Sequence, residues 1–394
     1  MAKSVKPLIG IGALLLGGLV AAVPAGAQTP VPQCNGQDAT IFFNGWTSDD
    51  VSEPTDEDFG SLVGLLGTDD DDVIVVGPPS NDLVSDFRSI SVHGLAGDDS
   101  ICFSGVTGET IGDLMIPVFG GAGNDTIFNF PDTTILRQNF IWGEDGDDII
   151  HGSNGDDLLI GGPGDDQIFG YQGTNLIAGE AGDDTIRGGS GLDLIAGGDG
   201  DDTIFGAQDG DLLYGGLGKD TIFGGSGNDI IASNDDFIGY AESEFEGTPP
   251  GTFGPETPSF GQDTAGGRMF GGVGNDIIIG SNRWDRMQGG AGDDLLLGME
   301  GRDWIRGGTG NDIILGGGGI DNINGNQGND EILLQGADIG KGGFGIDTCT
   351  TGLAGTANPT IRSCERSADV DLQWPAVAER INETHGTFGD IAIG

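Results

Sequence analysis

The sequence predicts an all-β protein in which very short strands stack on copies of themselves, two to a coil. Three observations predict it. A nine-residue unit recurs ten times without a gap from Gly143 to Ala232 and seven times from Gly271 to Leu333. Every unit ends in a three-residue segment with a large apolar residue at its centre. The residues flanking that centre alternate in character from one unit to the next, so the full period is eighteen.

The unit reads G-G-x-G-x-D-x-U-x, where U is Ile, Leu or Met. Position 1 is Gly in all 17 units, and position 4 is Gly in 15, the exceptions being Asp209 and Arg283. Position 6 is Asp in 16, with Asn175 the exception, and position 8 is Ile, Leu or Met in all 17. Looser copies lie at 67–75, 94–102, 120–128 and 342–350. Glycine at fixed places permits tight turns with positive φ. In x-U-x, U points to one face and its neighbours to the other. Such a strand is unstable alone but gains pairing and U-on-U contact at each added copy.

The flanking positions separate two strand sets. In the first block IIH, QIF, TIR, TIF and TIF interleave with LLI, LIA, LIA, LLY and IIA. In the second, III, LLL, IIL and EIL interleave with RMQ, WIR and NIN. Two opposed sheets explain this. One of them carries an outer apolar ladder of Leu158, Leu176, Leu194, Leu212 and Ile230, roughly 20 Å long at ~4.8 Å per strand. Ile277, Ile279, Leu295, Leu297, Ile313 and Leu315 continue it. An apolar stripe of this kind marks an interface, so this face is expected to be covered by flanking chain, a second copy or another protein. On the other sheet Phe169, Phe205 and Phe223 share position 9 and are expected to stack as an edge shield.

Charge points to the ligand. The 394 residues contain 63 Asp+Glu against 15 Lys+Arg, a net charge of −48, with 79 Gly. This excludes nucleic acid, whose phosphates need Lys and Arg, and disfavours an anionic membrane; the expected partner is a cation. Aspartate carboxylates beside backbone carbonyls form the oxygen set that a hard cation such as Ca²⁺ takes.

These units resemble the nonapeptide repeats of the RTX (repeats-in-toxin) family. The resemblance implies a parallel β-roll, a right-handed β-solenoid with two nonapeptides per coil and calcium ions in rows between turns. Carried over residue by residue, it implies metal ligands at Asp99, Asp125, Asp148, Asp157, Asp166, Asp184, Asp193, Asp202, Asp211, Asp220, Asp229, Asp276, Asp285, Asp294, Asp303, Asp312, Asp321, Asp330 and Asp347. Sites beside Asn175, Asp209 and Arg283 depart from the motif. If each repeat takes roughly one ion, the repeats offset more than half of the charge, and folding free energy becomes largely metal-binding free energy.

The remaining segments have simpler expectations. Residues 1–27 read as a cleaved secretory signal: Lys3 and Lys6, an apolar run from Leu8 to Val23, then Ala25 and Ala27, with cleavage after Ala27. No other segment reaches membrane-spanning length, so the mature chain is expected to be soluble, and the signal sends it outside the cell. Cys34, Cys102, Cys349 and Cys364 permit three pairings; Cys34–Cys102 and Cys349–Cys364 are favoured, one staple near each end. Residues 28–66 are expected to be an N-terminal cap, 67–128 degenerate repeats, 129–142 an interruption, 143–232 the first block, 233–270 a Pro/Glu-rich insertion, 271–350 the second block and 351–394 a C-terminal cap against edge pairing.

No enzyme is expected. His93, His151 and His385 are each followed by Gly, so H-E-x-x-H is missing. No serine sits in G-x-S-x-G. The expected function is a secreted calcium-binding module that folds on meeting Ca²⁺. The alternatives are a surface adhesin or ice-binding protein, and an accessory module of a polysaccharide-acting enzyme. Ice binding wants a regular Thr ladder, and only Thr185, Thr203 and Thr221 supply one.

Overall fold

Stacked parallel strands dominate the described residues, the antiparallel pair Gln33–Cys34 and Gln37–Asp38 being the exception among them. The structure is a computed structural model describing residues 33–34, 37–43, 63–76, 90–103, 117–128, 139–233, 266–335, 337–351, 360–364 and 366–367. The proposed signal segment lies outside these residues, as do most of the insertion and most of the C-terminal segment.

Two 15-stranded sheets face one another. One contains Leu158–Pro163, Leu176–Ala181, Leu194–Asp199, Leu212–Leu217 and Ile230–Ala232, and continues through Ile277–Ile279, Leu295–Leu297 and Ile313–Leu315. The other contains Ile149–His151, Gln167–Gln172, Thr185–Ser190, Thr203–Gln208 and Thr221–Ser226, then Arg268–Val273, Arg286–Ala291 and Trp304–Thr309. The chain alternates between them at each unit, so the two strand sets read from the sequence are the two sheets of a parallel β-roll. The first is called the apolar-faced sheet below and the second the polar-faced sheet.

Registers confirm the eighteen-residue coil. Leu158 pairs with Leu176, Leu176 with Leu194 and Leu194 with Leu212. Ile230 pairs with Ile277, so the ladder keeps its register between the strands on either side of residues 234–265. The ladders also take in stretches that the repeat pattern does not mark. Ile41–Phe43 pairs with Val73–Val76, Phe140–Asp145 with Val118–Ala122, and Thr360–Arg362 with Ile339–Phe344.

The core is one residue deep from each sheet. Position 8 faces inward: Ile150, Leu159, Ile168, Ile177, Ile186, Ile195, Ile204 and Leu213 are fully buried in one continuous cluster. Among the described residues the two sheets are the only layers around this cluster, so each inward side chain packs within its own coil, on the facing sheet and on its neighbours along the axis.

The outer faces differ. Leu158, Leu176, Leu194, Leu212 and Ile230 are half-buried on the apolar-faced sheet. Farther along the same outer ladder Leu295 is 0 % exposed and Leu297 4 %, in a cluster with Ile277. On the polar-faced sheet Phe205, Phe223 and Phe270 stack at centroid spacings of 5.0 and 5.1 Å. Phe169 does not join them. It stacks on His151, which stacks on Phe128. Arg187 separates the two aromatic runs, its guanidinium 4.3 Å from the Phe205 ring centre. The expected three-ring stack is thus two runs set apart by a cation, because Arg187 takes position 9 of the intervening strand.

Two disulfides are present, Cys34–Cys102 and Cys349–Cys364. The first ties the antiparallel pair Gln33–Cys34 and Gln37–Asp38 to the polar-faced sheet, where Cys34 and Ala39 pack on Val75. The second joins the buried Cys349 of a late strand to the chain after Thr360–Arg362.

Because every coil contributes one inward residue per sheet, truncating one in mid-stack opens a cavity that neighbours cannot fill. Ile204→Ala is expected to destabilise the calcium-loaded protein by about 2–5 kcal/mol, read by denaturant titration in saturating calcium.

Candidate metal centre

The position-6 aspartates form two columns, one on each turn edge. Along one edge the order is Asp99, Asp125, Asp148, Asp166, Asp184, Asp202 and Asp220, leading into the polar-faced sheet. Along the other it runs Asp157, Asn175, Asp193, Asp211, Asp229, Asp276, Asp294, Asp312, Asp330 and Asp347. Asp285, Asp303 and Asp321 resume the first column after Gly267 takes the position-6 place.

One carboxylate oxygen is accounted for at every step. Along the columns the backbone N–H of a position-6 residue donates to Oδ1 of the residue one coil later, as Asp148 does to Asp166 at 2.7 Å and Asp166 to Asp184 and Asp184 to Asp202 at 2.8 Å; Gly267, next after Asp220, has no such oxygen to offer. Position 5 works in the opposite direction. The Asp165 N–H donates to Asp147 Oδ1 at 2.9 Å, and the Asp183 N–H to Asp165 Oδ1 at 2.8 Å. Paired aspartates therefore clamp each turn to both its neighbours. The position-5 members are exposed, whereas Asp148, Asp166, Asp184 and Asp202 are each 1 % exposed.

The second oxygen is a different matter. Among the described residues seventeen of these aspartates have a buried Oδ2 that accepts no hydrogen bond. A buried carboxylate oxygen without a donor is strongly unfavourable. A column of them, repeated at each coil, asks for a positive partner.

The glycine at position 1 makes room for that oxygen. A Cβ on Gly143 would overlap Asp148 Oδ2 and lie 2.6 Å from the Gly161 carbonyl oxygen. At Gly179 it would overlap Asp184 Oδ2 and lie 2.5 Å from the Gly197 carbonyl oxygen. Each cradle thus converges a carboxylate oxygen from one coil and a backbone carbonyl oxygen from the next. At position 4 a Cβ on Gly182 would collide with the Gly164 carbonyl, so these turns approach too closely for a side chain.

The donor set fits a hard divalent cation. It is all oxygen and mixes carboxylates with carbonyls, as Ca²⁺ prefers. Among the described residues no group of three or more His, Cys, Asp or Glu side chains could hold a metal ion. Any ion here would draw on carboxylates from successive turns and complete its shell with backbone carbonyls. A bound Ca²⁺ would supply two positive charges where these oxygens meet.

A family model described as the RTX calcium-binding nonapeptide repeat (four copies) matches residues 118–128, 142–177, 169–204, 178–213, 205–237, 268–296, 279–314 and 297–332. This chain carries RTX calcium-binding nonapeptide repeats. The matched residues include both strand blocks and most of the aspartate columns. No curated protein matches the chain.

The RTX columns bring together most of the sequence-derived ligand candidates, but not in equal states. Asp99, Asp125, Asp148, Asp166, Asp184, Asp193, Asp202, Asp211, Asp220, Asp229, Asp276, Asp294, Asp303, Asp312, Asp321, Asp330 and Asp347 carry the partnerless Oδ2. Asp157 and Asp285 do not. Asp157 Oδ2 accepts from the Ser153 N–H at 2.7 Å, and Asp285 Oδ2 from the Ser281 N–H at 2.7 Å. Asp72 is position 6 of the looser copy at 67–75 and is missing from the ligand candidates, yet it occupies the same place at the start of one column; its Oδ2 accepts from the Thr68 N–H and hydroxyl. The signal was available: these three units have Ser or Thr at position 2. Asn175 holds its column with an amide, donating from Nδ2 to Asp193 Oδ1 at 2.8 Å.

Burial is the main cause of the carboxyl pKa shifts. It raises Asp166, Asp184, Asp211 and Asp294 to about 8 and Asp303 to about 9; the N–H donated to each opposes this, and neighbouring carboxylates add to it. Asp125, Asp148, Asp202, Asp276 and Asp312 rise to about 7 for the same leading reason. The sign follows from linkage. The folded metal-free chain holds protons that the unfolded chain releases above about pH 4. That stabilisation is complete below about pH 4 and is lost as pH rises through the folded values of about 7 to 9. Calcium, which needs the ionised form, gains affinity over the same range.

Two outcomes are expected. In chelator, far-ultraviolet circular dichroism should show β structure near pH 4 that disappears towards pH 8, while calcium retains it at pH 8. Gly179→Ala, whose Cβ would occupy the Asp184 cradle, should lower bound calcium and weaken the β signal at a fixed submaximal calcium concentration.

Proposed function

We propose that this protein is an exported calcium-dependent module whose roll assembles as Ca²⁺ enters the turn columns, and that it acts structurally or as an interaction scaffold, not as an enzyme. The observation that carries this reading is the buried, partnerless Oδ2 repeated at seventeen coil positions. At neutral pH these carboxylates repel one another and lack solvent. The unfolded chain relieves both penalties, so the metal-free equilibrium favours unfolding, and cation binding between turns reverses it. Extracellular calcium would then set where and when the protein folds.

Export is supported by Lys3, Lys6 and the apolar run ending before Ala25 and Ala27. Two disulfides suit the same oxidising destination. The half-buried ladder Leu158, Leu176, Leu194, Leu212 and Ile230 is the proposed contact face for a second copy or a protein partner. The ice-binding alternative gains little, because the Thr185, Thr203 and Thr221 column gives way to Gln167 on one side and Arg268 on the other.

Calcium titration followed by circular dichroism at pH 7.5, with magnesium as control, tests the reading. The expected result is a coil-like spectrum in chelator that becomes β-sheet as calcium, but not magnesium, rises. A full β signal in chelator at that pH would overturn it.

A further inference from the structure

The aspartates of the nine-residue units divide into two states according to one other residue; Asp338, which follows Asp321 in its column but lies outside those units, has its Oδ2 closed by the Gln335 N–H at 2.6 Å. In every unit whose Asp Oδ2 has no partner, the residue at position 2 has positive φ. Examples are Gly162 at 122°, Gly198 at 120°, Glu180 at 80°, Ala207 at 90° and Met299 at 70°. The three units with a β-hydroxyl residue at position 2 lack it: Thr68, Ser153 and Ser281 are outside the positive-φ set. In each of them the position-2 N–H and hydroxyl turn onto the aspartate four residues later. Ser281 donates its N–H at 2.7 Å and its hydroxyl at 3.1 Å to Asp285 Oδ2. Ser153 does the same to Asp157 Oδ2, at 2.7 and 3.2 Å. This is the local closure that Ser and Thr favour over other backbone arrangements.

We infer that position 2 decides whether a turn takes a cation: positive φ leaves Oδ2 open to metal, whereas Ser or Thr closes the turn on itself and deletes the site. The inference rests on the calcium reading above and refines it. A closed aspartate already has both oxygens satisfied, since Asp285 Oδ1 also accepts the Gly267 N–H at 2.7 Å. Nothing remains for a cation to compensate.

The consequence is an uneven distribution of metal. Along one edge an open run extends from Asp99 to Asp220 and stops where Gly267 and then the closed Asp285 follow. Along the other edge the closed Asp157 and the amide of Asn175 occupy the early coils, and the open run extends from Asp193 to Asp347. The two rows are therefore offset along the roll and overlap only in its middle, with Asp303 and Asp321 as a short extra pair. The proposal assigns metal-site deletion to Ser153 and Ser281, neither of which belongs to the glycine–aspartate motif.

Bound calcium per chain, measured by atomic absorption after desalting into calcium-buffered solution, tests this, with circular dichroism reporting the fold. Ser281→Gly should raise the count by about one, because Asp285 then faces the open Asp303 in the next coil. Ser153→Gly should leave it unchanged, because Asn139 and Asn175 flank Asp157. Gly198→Ser should lower the count by about one or more: a Cβ there would collide with the Glu180 carbonyl, forcing the turn into the closed form on Asp202. An unchanged count in Ser281→Gly overturns the inference, and so does an unchanged count in a folded Gly198→Ser. A wild-type chain that binds no calcium overturns the calcium reading itself, whatever the variants do.

Discussion

The structure depends on the column of position-6 aspartates. Each uses Oδ1 to accept the N–H of the coil before it and so fixes the spacing and register of the turns. Seventeen of them bury an Oδ2 without a donor in doing so. The contact that aligns one coil with the next therefore also creates an uncompensated negative charge at the same place. Hydrogen bonding and electrostatic repulsion cannot be separated here, because they belong to one carboxylate. Protons at acid pH or a divalent cation at neutral pH are the two ways of keeping the alignment while removing the charge.

Glycine distribution follows from this arrangement. At position 1 a side chain would occupy the space of Oδ2, and at position 4 it would meet a carbonyl of the neighbouring coil. Position 2 also needs positive φ, and a Cβ on its glycines would likewise meet a neighbouring carbonyl, yet it is there that Leu95, Glu144, Tyr171, Glu180, Ala207, Met299 and Asn326 are tolerated. Non-glycine residues in that conformation are strained by about 1–2 kcal/mol each. They keep it because the adjoining strands and turn clamps define the backbone from both sides. Where a serine or threonine can form a better local bond, the backbone takes the other conformation.

The two outer faces are set by the same alternation but serve different surroundings. The apolar-faced sheet has its ladder half-buried at Leu158 to Ile230 and wholly buried at Leu295. The polar-faced sheet presents aromatic stacks, then Arg268, Arg286 and Trp304 in one exposed column. Arg286 and Arg306 lie 5.3 and 5.0 Å from the Trp304 ring centre, so these few cations of an acidic chain are gathered on the face away from the leucines. Because contacts are confined to adjacent coils, both ladders continue in register from the strands before Ser233 to those after Gly266.

Much of this was legible in the residues alone. A nine-residue period with an eighteen-residue alternation determined the two sheets, the inward ladder of Ile150 to Ile332 and the aspartate at each turn, because these are nearest-neighbour regularities that repeat along the chain. The favoured disulfide pairing also emerged, since each pair lies near one end. Three things were decided only by tertiary structure. Phe169 parts from Phe205 because stacking is settled across strands, where Arg187 intervenes. Ile41–Phe43, Phe140–Asp145 and Thr360–Arg362 join the ladders because pairing with an existing edge can recruit a strand that lacks the motif. Asp157 and Asp285 differ from the other aspartates because their state depends on the backbone angle of a serine four residues earlier. A motif that counts residue types does not register that angle; the close approach of neighbouring turns does.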